Sequence, residues 1–200
     1  MTGAPCCSSV VGAERSCERI TDADLARLGE FALLDLAGLV DRETATGRRY
    51  RHRLLCIALC QGAAQHYVDG ENGVKDFDVW SFFAADPAGP FPYRRRVERD
   101  FGRSKFARHP ADPPRFVGRR VDLGGRSLSV LPAADPVESV RSYLAGGRTE
   151  TARRLSEKPV VLLWPAGLRG RVIWRPVTDK ASGVGGGVLQ GPDACPQTQA

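Results

Sequence analysis

The chain has 200 residues, 29 Lys and Arg against 23 Asp and Glu, a formal charge of +6, and 42% apolar residues. Those totals suit one globular domain with its own core. They also exclude a membrane-spanning helix, since the longest apolar run, Leu54–Cys60, falls far short of the ~20 residues a bilayer demands. The stretch 10–13 near the N-terminus is too short for a secretory signal and is followed by Glu14, so a cytoplasmic protein is expected.

Residues 1–19 are small and polar without periodicity and are expected to be disordered. A helix is expected from Asp22 or Asp24, capped by Thr21, with Leu25, Leu28, Phe31, Ala32, Leu36 and Leu39 forming its apolar stripe. Residues 41–53 read as a charged connection. Leu54–Cys60 is apolar on both faces, as a central strand of a covered sheet would be. Its Cys56 and Cys60 are expected to be buried free thiols, and the six cysteines show no paired spacing of a zinc site.

Gly62 ends that strand, residues 63–67 start a short helix, and residues 69–73 form a turn-rich loop. Residues 76–83 are rich in aromatic and branched side chains and read as the next strand. Residues 117–130 suggest strand, turn at Gly124-Gly125, and strand, a hairpin. Asp135-Pro136 opens a helix that stops at Gly146-Gly147, and a second begins near Thr149 and ends before Pro159. Two short apolar pieces follow, 160–163 and 172–174, and a Gly-, Ser- and Pro-rich tail. The expected organisation is a disordered segment 1–19, one domain over 20–177, and a flexible tail 178–200. Its fold class is α/β, a short mixed sheet flanked by helices.

Residues two apart in a strand point the same way, so Asp76 and Asp78 present two carboxylates side by side while Phe77 and Val79 anchor the other face. Like charges held so close repel unless something positive stands between them, and a divalent metal supplies that charge. Asp122, between Val121 and Leu123, is a third carboxylate in the same setting. The alternative is that these aspartates pair with nearby arginines on the sheet surface. Arginine is abundant here: residues 94–126 hold eleven basic side chains against four acidic ones.

These residues resemble the nucleotidyltransferase superfamily, the fold shared by kanamycin nucleotidyltransferases and polymerase beta. Cys60-Gln61-Gly62-Ala63 resembles its glycine turn, Asp76-Phe77-Asp78 its paired carboxylates, and Val121-Asp122-Leu123 its third carboxylate, over about residues 54–130. Two positions depart from the pattern. Ala63 stands where the family has serine or glycine, and Gln61 where an apolar residue is usual.

The resemblance implies a nucleotidyltransferase-like fold and a metal-dependent transfer of a nucleoside monophosphate from a nucleoside triphosphate to a hydroxyl acceptor. Asp76, Asp78 and Asp122 would hold Mg²⁺ or Mn²⁺ and carry catalysis. Gly62 and Ala63 would meet the nucleotide through their backbone, with Arg119 and Arg120 on its phosphates or on a polyanionic acceptor such as RNA. Two other readings stand beside it: a basic nucleic-acid-binding or interaction module, including a transferase that has lost its chemistry, and a metal-dependent nuclease. The nuclease reading lacks a well-placed Glu-x-Lys partner. His66, His109 and Trp80 are expected to be packing or loop residues.

Overall fold

Thr21 caps the first helix, α1 (Asp22–Asp41), with a full capping box: the Asp24 amide donates to the Thr21 hydroxyl oxygen at 3.4 Å, and the Thr21 backbone N–H donates to Asp24 Oδ2 at 2.7 Å. The computed structural model describes residues 15–91 and 97–176. After α1 come α2 (Ala45–Tyr50), β1 (Leu54–Cys60), α3 (Gln61–Asp69), β2 (Phe77–Ala84), β3 (Val97–Asp100), β4 (Arg120–Leu128), α4 (Pro136–Gly146), α5 (Glu150–Ser156), β5 (Val160–Trp164) and β6 (Val172–Trp174).

The protein is α/β. Among the described residues one six-stranded mixed sheet runs in the order β3-β4-β2-β1-β5-β6, with helices on both faces. The β2–β4 pair is parallel and the other pairs are antiparallel. Strand alternation sorts the core into two layers. Ile57, Leu59, Phe77, Val79, Val121 and Leu123 face α1 and α3. Cys56, Ala58, Cys60, Phe82, Leu128 and Leu162 face α4 and α5. Burial on both sides of β1 explains its unbroken apolar run.

Several expectations need correction. Residues 117–130 are not a hairpin, because β4 runs straight through Gly124 and Gly125. Each glycine leaves room for a neighbour's ring: a Cβ on Gly125 would lie 2.2 Å from Phe91 Cε1, and one on Gly124 3.1 Å from Trp80 Cδ2. Here the glycines mark close approach to a strand, not a turn. The connection 41–53 contains α2, capped by Thr44, whose hydroxyl accepts from the Gly47 amide at 2.9 Å. Of the segment expected to be disordered only residues 15–19 are described, and there Ser16 forms a backbone bridge with Val74; residues 1–14 and the expected tail 178–200 lie outside the described residues. No described helix is long and apolar enough to cross a membrane.

Candidate functional site

The two helices α4 and α5 cover the sheet face of Phe82 and Leu128 but not its whole length. At the other end of β2 and β4 the same face carries Asp78 and Asp122, which are partners in the parallel register. Asp122 is also opposite Glu98 on β3, and Asp78 opposite Cys60 on β1. A row of three carboxylates, Asp78, Asp122 and Glu98, thus crosses three adjacent strands on one face. Neighbouring strands are ~4.8 Å apart, and like charges directly opposite destabilise a sheet. The sequence has placed charge where pairing alone is unfavourable.

Asp76 lies one residue before β2, not inside it as expected. One register step beyond the Phe77–Val121 pair, it meets Arg120. Arg120 Nη2 donates to Asp76 Oδ2 at 2.8 Å, and its Nε lies 3.5 Å from Asp122 Oδ1 and 3.8 Å from Asp112 Oδ1. Glu98 Oε1 is 3.7 Å from Arg120 Nη1. Burial, the largest influence on Arg120, lowers its basicity; the hydrogen bond to Asp76 and the charges of Asp122, Asp76 and Asp112 outweigh it and hold the guanidinium above its ordinary value.

Asp76, Asp78 and Asp122 open into one cleft of about 400 Å³. Gln61 lines its side, and Glu150, Thr151 and Arg154 of α5 form its far wall. Gln61 sits at φ +57, a left-handed backbone rare outside glycine, at the junction of β1 and α3. Its Nε2 donates to the Arg154 carbonyl at 2.9 Å and ties that junction to the far wall.

The other expected site residues are placed differently. The methyl of Ala63 is buried in the core beneath α3, so this residue can offer a ligand only its backbone. A Cβ on Gly62 would meet nothing nearer than Arg15 Nη1 at 3.9 Å, so that backbone stays open. Arg119 is buried, and its Nη1 donates to the Lys75 carbonyl at 3.2 Å, holding the segment before β2 to β4. Burial, its leading influence, pulls its basicity down while Asp112 and Asp76 push it up. Of the two arginines expected on phosphate, Arg120 is the one among the carboxylates.

The two buried cysteines of β1, Cys56 and Cys60, supply no nucleophile. Burial, then the charge of Asp78, pushes the Cys60 thiol well above its ordinary value, and burial pushes Cys56 to about 12. Both stay neutral. The α5 wall was not legible in sequence: Glu150, Thr151 and Arg154 carry no motif, and only the sheet order brings α5 back beside β2.

An all-carboxylate, hard-oxygen donor set suits Mg²⁺ or Mn²⁺. Among the described residues no three His, Cys, Asp or Glu side chains form a group able to hold an ion, and Asp76 is already hydrogen-bonded to Arg120. An ion at Asp76 therefore requires the guanidinium to move aside. Comparisons with family models, with curated proteins and with solved structures find no match for this chain.

Proposed function

We propose that the protein is a metal-dependent nucleotidyltransferase that moves a nucleoside monophosphate from a nucleoside triphosphate to a hydroxyl acceptor. The observation that carries this reading is the convergence of Asp76, Asp78 and Asp122 on one open cleft beside the turn between β1 and α3. The order of strand, turn, helix, strand and later parallel strand supports the resemblance drawn from the sequence. Mg²⁺, held by those three carboxylates, would supply positive charge to the phosphates and to the attacking oxygen.

The chain's own residues supply the rest. Asp122, at the floor of the cleft and 3% exposed, orients the acceptor hydroxyl and takes up its proton. The hydroxyl oxygen forms a bond to the α-phosphorus, the bond from that phosphorus to the bridging oxygen breaks, and pyrophosphate leaves. Arg120, released from Asp76, turns its guanidinium to the triphosphate, for which its planar fork is suited. The backbone of Gly62 and Ala63 lies at the start of α3, where N–H groups favour an anion.

The bridging position of Arg120 favours a second reading, in which the carboxylates form a structural ion-pair network in a binding module. Titration calorimetry with Mg²⁺ and Mn²⁺ separates the two. The transferase reading expects binding by the wild type that is lost in folded Asp76→Ala and Asp78→Ala variants, with pyrophosphate release from nucleoside triphosphates lost alongside it. Identical titrations of wild type and variants would sink it.

A further inference from the structure

The sheet face that carries Asp78 and Asp122 continues beyond them. One two-residue repeat farther along, about 7 Å, Trp80 is partnered with Gly124 in the same parallel register. Alternation puts both on the carboxylates' face. A Cβ on Gly124 would lie 3.1, 3.1 and 3.2 Å from Cδ2, Cε2 and Cζ2 of Trp80. A Cβ direction that meets three adjoining ring atoms at nearly equal distance points at the face of the ring. The indole therefore lies flat across β4, where any larger residue than glycine would stand it up.

With one face against Gly124, the opposite face of the indole points away from the sheet. Part of Trp80 packs against the core layer beneath α4 and α5, and the rest of it lines the cleft together with Gly124, Asp78 and Asp122. Trp80 is only partly buried. A flat aromatic surface one strand repeat from a carboxylate row matches the construction of a nucleotide, in which one ribose separates a flat base from its phosphate. Metal and carboxylates grip only the phosphate end, so the base needs a support of a different kind. Base–aromatic stacking is such a support, and it tolerates any base.

We propose that Trp80, laid flat by Gly124, is the stacking platform for the nucleobase of a nucleotide whose phosphates lie toward Asp78 and Asp122. The phosphate end of this placement rests on the transferase reading; the platform itself rests on the geometry of Trp80 and Gly124. Purines cover more of an indole than pyrimidines do, so ATP and GTP bind more tightly than CTP and UTP.

Calorimetric titration of the four nucleoside triphosphates and of inorganic triphosphate, with and without Mg²⁺, tests this on wild type, Trp80→Leu, Trp80→Phe and Gly124→Ala. Trp80→Leu keeps apolar bulk without a ring. It weakens ATP roughly fivefold or more, as loss of one stacked base does, and leaves inorganic triphosphate unchanged. Trp80→Phe recovers most of the loss. Gly124→Ala tilts the indole and weakens ATP in the same direction, which keeps the test decisive if the Leu variant fails to fold. Equal ATP affinity in wild type, Trp80→Leu and Gly124→Ala, still dependent on Mg²⁺, overturns the platform and leaves the transferase reading standing. Trp80-dependent binding without any Mg²⁺ effect does the reverse, and a folded wild type that binds no nucleotide overturns both.

Discussion

Arg120 is the residue on which the chemistry of the cleft turns. Its guanidinium stands among Asp76, Asp112, Asp122 and Glu98 at 2.8 to 3.8 Å, so it offsets a repulsion that the strand register creates. Side chains about a quarter exposed (24% for Arg120, 21% for Asp76) place this network between a weak surface pair and a fully buried one. Arg120→Gln keeps much of the shape and removes the charge. In the presence of EDTA it is expected to cost roughly 1–3 kcal/mol, read from the urea midpoint. Millimolar Mg²⁺ then restores most of the loss, because the ion meets the same carboxylates without a competing guanidinium. A variant as stable as wild type in EDTA, or one indifferent to Mg²⁺, contradicts this account.

Elements depend on pairs of residues that sequence pattern alone does not connect. The paired glycines of β4 read as a turn because Gly-Gly is a turn signal when neighbouring rings are out of view. The information that makes them a strand lies at Phe91 and Trp80, far away in sequence. Gly125→Ala forces a methyl to within 2.2 Å of a ring that stacks on Phe83 at 4.5 Å, and overpacking of that kind costs typically 1–3 kcal/mol. Gly124→Ala, with its nearest contact at 3.1 Å, is expected to cost less. Chemical denaturation of the two variants checks the order.

At the end of β3, Asp100 takes three amides: Gly102 and Gly118 on Oδ1, both at 2.8 Å, and Val117 on Oδ2 at 2.7 Å. Burial, its leading influence, raises the acid's value, but those amides and the charge of Arg27 carry it below the ordinary 3.8. A folded value depressed in this way adds stability that is complete above the unfolded value and is lost as pH falls through the folded one. Asp100→Asn is therefore expected to destabilise by ~1–3 kcal/mol near neutrality. The gap from wild type should close as the pH drops below 3.8, and a gap that stays constant through that range excludes the carboxylate as its source. Helices α1, α4 and α5, by contrast, were plain in sequence, because Thr21, Asp135 and Thr149 cap them locally.

For the whole molecule, part of the basic surplus of residues 94–126 is paired or buried. Lys105 pairs with Asp24 at 2.8 Å, Arg99 with Asp35 at 3.4 Å, Arg119 is buried, and Arg120 faces carboxylates; residues 94–96 fall outside the described residues. Charge counted along the chain gave the nucleic-acid reading its weight, and folding spends part of that charge internally. The carboxylates were legible from spacing, whereas the arginine between them needed the β2–β4 register. A thermal melt then weighs the two readings against each other. A ligand that binds only the folded state at a hundred times its dissociation constant adds ~2.7 kcal/mol, which for a chain of this size raises Tm by roughly 5–10 °C. Mg²⁺ or Mn²⁺ is expected to produce a rise of that order in the wild type and none in Asp122→Asn. A binding module predicts the opposite pattern: no shift with divalent ion, a shift with RNA, and steep loss of that shift between low and moderate salt as counterions compete for the phosphates.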